Sequence, residues 1–126
     1  MLPRDGILLR IFIGESDKRD GQPLYEWIVR KARERDLAGA TVLRGREGFG
    51  ASSRMHTAKI LRLSQDLPII IEIVDTPEKI EAFIPAVDSA IREGLMTTER
   101  VQVRFYRTGK GGKEPDVEPG STSYKE

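Results

Sequence analysis

The stretch Leu67–Val74, LPIIIEIV, constrains this chain more than any other. It is the most apolar run in the sequence and is far too short to span a bilayer, so it reads as a central strand covered on both faces. Such a strand needs neighbours. Ile7 to Ile13 alternates strictly, with Ile7, Leu9, Ile11 and Ile13 on one face and Leu8, Arg10 and Phe12 on the other. Between the two, Pro23 is placed as the first residue of a helix in which Leu24, Ile28 and Ala32 recur at four-residue spacing to about Asp36. Ala40 to Arg44 reads as a short second strand because β-branched Thr41 and Val42 suit a pleated surface. After the central run, Thr76 and Pro77 form a cap and first turn. Ile80, Phe83, Ile84, Val87 and Ile91 then trace one stripe of a second helix ending near Gly94, with Pro85 off the stripe. Arg100 to Tyr106 alternates again and predicts a fourth strand, with Val101, Val103 and Phe105 facing one way.

The order strand, helix, strand, strand, helix, strand implies a two-layer α+β sandwich of the ferredoxin-like βαββαβ type. The first and third strands are expected at its centre, parallel to one another. Both helices cover one sheet face. The other would present Leu8, Arg10, Phe12, Ile70, Glu72, Val74, Gln102, Arg104 and Tyr106, too apolar for water and too charged for a dry core. That composition predicts a subunit interface, a closed homotrimer, and charge pairing among Arg10, Glu72 and Arg104.

A chain of 126 residues fits one domain, expected over residues 1–107. Residues 108–126 turn to Gly, Lys, Pro, Glu and Ser without apolar periodicity and predict a disordered tail. No signal-peptide pattern opens the chain, which predicts a cytoplasmic protein without membrane insertion. The absence of cysteine excludes a disulfide frame and thiolate chemistry, and the single histidine leaves few metal ligands. A net charge of +1 argues against nucleic acid as a partner. The charge is concentrated, however: Arg44, Arg46, Arg54, Lys59 and Arg62 face only Glu47 between positions 44 and 62.

In that segment Gly45, Gly48 and Gly50 suit a backbone that presents N–H groups to an anion, with Arg44, Arg46 and Arg54 supplying charge. A flexible loop with solvated arginines is the plainer alternative, and the spacing is neither a P-loop nor a dinucleotide fingerprint. Ser53, His56 and Asp66 together supply a nucleophile, a base and an acid, but no nucleophile elbow accompanies them, so no catalytic residue is assigned. A lone loop histidine is more often a hydrogen-bonding residue than a metal ligand. The acidic stretch holding Glu15, Asp17 and Asp20 lacks the calcium-loop pattern and suits charges favouring the following helix dipole. The string TGKGGK from Thr108 to Lys113 is of the kind found in tails, though it suits folding over a phosphate.

The stretches LRIFIGESDKRDGQPLYEWIVRKAR and LAGATVLRGREGFGASSRMHTAKILRLSQDLPIIIEIVD, with the region after Thr76, resemble the uncharacterised PII-like signalling family, domain of unknown function 190, from about Leu9 to Tyr106. The resemblance implies a ferredoxin-like subunit, a trimer with facing sheets, and a signalling loop at about 45–65. It further implies an adenine nucleotide (ATP, ADP or AMP) or another anionic metabolite in the clefts between subunits, and a regulated membrane transporter or enzyme as partner. On that reading Gly45, Arg46, Gly48, Gly50, Ser53, Arg54, His56 and Arg104 are the ligand-binding candidates. The alternatives are a small enzyme using His56 with Ser53 or Asp66, and a metal binder on the same fold. The chain departs from PII proteins after the second helix, where Gly94 is followed by LMTTER, with one glycine and no lysine in place of a phosphate loop. The signalling loop also lacks a tyrosine that uridylylation would modify.

Overall fold

The computed structural model describes residues 4–49, 55–57 and 66–109. Strand β1 (Asp5–Gly14) is followed by a tight hairpin, β2 (Lys18–Arg19) and β3 (Gln22–Pro23), then α1 (Leu24–Glu34) and β4 (Thr41–Arg44). A second hairpin, β5 (Glu47–Phe49) and β6 (Met55–Thr57), precedes β7 (Pro68–Asp75), α2 (Pro77–Asp88) and β8 (Leu95–Gln102). The main sheet has the order β4-β7-β1-β8 and is antiparallel throughout. The expected parallel pairing of the two central strands is therefore corrected. Helix α1 returns the chain so that β4 runs the same way as β1, and the connection through β5 and β6 reverses it before β7.

The central register sets Leu9 opposite Ile73, Ile11 opposite Ile71 and Ile13 opposite Ile69. All six side chains are buried under α1 and α2, against Leu24, Ile28, Ala32, Ile80, Phe83 and Val87. Alternation explains why the opposite residues, Leu8, Arg10, Phe12, Ile70, Glu72 and Val74, point to the uncovered face.

Helix α1 begins one residue after Pro23, and the chain leaves it through Asp36 at φ 59°, with the Leu37 N–H donating to Ala32 O at 3.1 Å. Helix α2 starts as expected, Thr76 Oγ1 accepting from the Lys79 N–H at 3.0 Å. It ends at Asp88, well before Gly94, and a turn rather than a continued helix delivers Ala90 and Ile91 to the core. Gly94 is not a helix stop. A Cβ there would lie 2.5 Å from Phe12 O, so the missing side chain lets the backbone close on β1 and begin β8 at once.

Strand β8 thus starts five residues earlier than the alternation of Arg100 to Tyr106 predicts, and its faces are reversed. Val101 lies opposite Gly6 on the uncovered face, while Gln102 lies opposite Asp5 on the helix side. After the Val103 N–H donates to Arg4 O at 2.6 Å, the chain leaves the sheet and crosses the uncovered face as a strap. Tyr106 Oη anchors it by donating to Ala38 O at 2.7 Å. Ala38 is itself fixed by buried Asp75, whose carboxylate accepts from the N–H groups of Ala38 at 2.8 Å and Thr76 at 2.7 Å.

Candidate functional site

The uncovered face ends in a hollow of about 630 Å³ where the base of the 45–65 segment leaves the sheet. Phe12, Ile70, Leu95, Pro68 and Phe49 supply apolar walls, and Asp17, Glu47, Asp66 and Glu93 line it as well. No lysine or arginine is among its described lining residues. Burial pushes the Asp17 carboxyl above the ordinary carboxylate range, and the charges of Asp66 and Glu93 push the same way, while the Gly14 N–H, donating at 3.0 Å, opposes them. Asp66 accepts from the Ser16 N–H at 2.8 Å. Among the described residues, no group of three or more His, Asp or Glu is arranged to hold a metal ion.

Two of the expected glycines shape this place by close approach. The Gly45 N–H donates to Pro68 O at 2.7 Å, and Cβ atoms on Gly45 and Gly48 would lie 2.8 and 3.1 Å from Pro68 Cγ. The β5–β6 hairpin therefore sits directly on the start of β7, with Gly48 paired to His56. The Gly45 N–H faces the sheet rather than a ligand. Arg46 is exposed at the hairpin base and forms no ion pair with another described residue. Gly50, Ser53 and Arg54 lie outside the described residues, so the Ser53–His56–Asp66 constellation is not traced.

Arg104 stands elsewhere. It lines a second hollow, of about 640 Å³, between the strap and residues 38–41, at the Leu8 and Val74 end of the sheet. Its hollow shares no described lining residue with the one that Gly45 and Gly48 line.

The charge cluster on the uncovered face is as expected for Arg10 and Glu72, which meet at 2.9 Å, but within one chain the third member is Glu99, 3.2 Å from Arg10, in the place expected of Arg104. The reversed face of β8 accounts for the exchange. These contacts, the Glu72 hydrogen bond first, raise the Arg10 pKa above its ordinary value.

Arg44, which the sequence offers with Arg46 and Arg54 as charge for an anion, pairs with Glu15 at 2.9 Å beside the hollow. Nothing local in the acidic stretch around Glu15 signals that partner, 29 positions away. The Asp-Gly pair at 20 and 21 was a legible signal for the small hairpin, and both residues take positive φ, 54° and 80°.

Residues 6–103 match the model of the DUF190 family, Uncharacterized ACR. A UPF0166 protein of Aquifex aeolicus is 38% identical over 98 residues, covering 78% of this chain and 92% of its own length. UPF0166 protein MJ1524 of Methanocaldococcus jannaschii is 35% identical over 85 residues, 68% of this chain and 78% of its own. Among solved structures, CPII, a nitrogen regulatory PII-like protein from Thiomonas intermedia K12 bound to ADP, AMP and bicarbonate, has a TM-score of 0.59 at 17% identity, over 79% of this chain and 88% of its own. Its apo form has a TM-score of 0.54 at 14% identity, over 79% and 91%. The likeness identifies the fold as the PII-like form of the ferredoxin-like sandwich.

Proposed function

This chain belongs to the DUF190 family, and from that premise we propose that it is a PII-like regulatory protein, a homotrimer that binds an adenine nucleotide between subunits and signals to a partner through residues 45–65. The observation that carries the reading is the uncovered sheet face. Phe12, Ile70 and Val74 are only half covered, Leu43 and Leu95 are exposed, and an ion-paired Arg10 lies among them. Apolar surface of this kind is covered by assembly, and assembly would bring a neighbour against the hollow at its end. The PII-like neighbour CPII is a protein bound to ADP and AMP, which supports the ligand class.

The chemistry around the hollow divides in a way that suits such a ligand. Apolar walls and carboxylate acceptors fit a flat base with N–H donors, and the same carboxylates repel phosphate, which belongs at the arginines outside. Arg46 stands beside the first hollow and Arg104 lines the second, which shares no described residue with it, so a ligand held by both is expected between two copies.

Light scattering and calorimetric titration with ADP and AMP, followed by a product assay, test the reading. Expected are a trimer, saturable binding and no turnover. Arg46→Ala and Arg54→Ala should each weaken binding by about one to two powers of ten, the loss of one charge-assisted bond. A stable monomer, or no binding of either nucleotide, overturns it.

A further inference from the structure

At the base of the 45–65 segment the two described arginines are in different states. Arg46 is exposed and pairs with no described residue, whereas Arg44 is engaged on two sides by one carboxylate. Its Nε donates to Glu15 Oε1 at 3.2 Å, and its NH2 nitrogen approaches Oε1 at 3.1 Å and Oε2 at 2.9 Å. Glu15 is well placed to hold it. Its backbone N–H donates to Leu67 O at 2.8 Å, and its side chain is only 25% exposed against 61% for Arg44. The residues next to this pair, Gly14 and Gly45, both line the hollow. The pair is therefore a side-chain tie between the end of β1 and the root of the segment, lying on the rim.

We propose that Arg44 is an anion contact of this site and that Glu15 is its built-in competitor, a carboxylate occupying the guanidinium until the phosphate of a nucleotide displaces it. The inference rests on the nucleotide-binding reading above. Glu15 takes the Nε–NH2 edge of the guanidinium, the edge a bidentate phosphate contact at Arg44 would use, so the two anions compete for it. Binding then cuts the side-chain tie between β4 and the end of β1 as the ligand arrives. Whatever strengthens the Glu15 contact must weaken the ligand, by at most the same factor.

The test is calorimetric titration of ADP into the full chain and into Glu15→Gln, Arg44→Ala and the double variant. Glu15→Gln keeps the shape and removes the competing charge. It should tighten ADP by about two- to fivefold, the scale of an exposed ion pair. Arg44→Ala should weaken ADP by about tenfold or more, and in its background Glu15→Gln should change nothing. If Glu15→Gln leaves the affinity unchanged or lowers it, the competitor role is overturned. An equal tightening with Arg44 absent also overturns it, since a general charge effect would then act. Unchanged binding by Arg44→Ala removes Arg44 from the site. Failure of the parent chain to bind ADP or AMP refutes the nucleotide reading itself, and the competitor with it.

Discussion

On β1, Leu9, Ile11 and Ile13 are no more than 5% exposed, whereas Leu8, Arg10 and Phe12, each one residue away, stay half open. On β7 the same contrast separates Ile69, Ile71 and Ile73 from Ile70, Glu72 and Val74. Alternate residues of the same two strands thus meet different demands. On the helix side, Leu9, Ile11 and Ile13 of β1 and Ile69, Ile71 and Ile73 of β7 are all apolar and close a core. The other side mixes large apolar groups with an ion-paired triad, a composition that gives an isolated subunit little and an interface both cover and register. Buried apolar surface stabilises wherever it lies, but a charge pair is costly to bury unless its partners are fixed, and here they are fixed within the subunit.

The largest effect belongs to the helix side. Phe83→Ala should cost about 3–5 kcal/mol in urea unfolding, the range for emptying an aromatic site in a packed core. A loss below about 1 kcal/mol would mean that this face is not the one that holds the subunit together.

Glu72→Ala probes the other side. In the proposed assembly, where the pair is buried, removing the carboxylate should cost about 3–5 kcal/mol, read as dissociation at higher protein concentration in light scattering. In the isolated chain the same pair is exposed, and its loss should leave urea unfolding nearly unchanged. Equal effects on assembly and on subunit stability would erase the distinction between the faces.

Tyr106→Phe asks whether the strap belongs to the uncovered face. Losing the bond to Ala38 O should cost about 0.5–1.5 kcal/mol and speed amide exchange around residues 103–106 without altering the core. Unaltered exchange would show that other contacts hold the strap.

The smallest expected effect lies at the rim where the faces meet. The Asp17 pKa is raised by burial and by Asp66 and Glu93, so its ionised form destabilises the folded state at neutral pH. That penalty is full above the raised value and vanishes below the ordinary carboxylate pKa of about 4. Asp17→Asn should therefore raise the melting temperature slightly at pH 7, with the gain shrinking on acidification. A gain that grows as pH falls would reverse the sign argued here.

Apart from the direction of the central pair, which is antiparallel and not parallel, the misreadings of the fold cluster at the sheet edge. The central strands were legible because burial on one or both faces writes a period into the sequence. Strand β8 was not, because LMTTERVQ lies at an edge with Thr97, Glu99 and Arg100 exposed, so between Met96 and Val101 neither face demanded apolar residues. Alternation without a fixed start then assigned Val101 to the wrong face. The site was legible only as chemistry. The basic, glycine-rich composition of the segment beside it showed in the sequence, but the four carboxylates of the hollow come from separate parts of the chain and gave no local signal. Gly45 and Gly48 were singled out as glycines presenting N–H groups to an anion, and what the structure shows of them is a close seat on Pro68.

The sequence by itself determined the order of elements, the pairing of two apolar central strands under two amphipathic helices, and the existence of a second sheet face unfit for water. Each of these follows from periodicity, which local residues carry. Only the tertiary structure decided the antiparallel register, the early start of β8, the departure of the strap toward Ala38, and the meeting of Glu15 with Arg44 across 29 positions of chain. Those depend on which backbone closes on which, at distances where one Cβ on Gly94 would not fit, and no local pattern records a contact between residues so far apart.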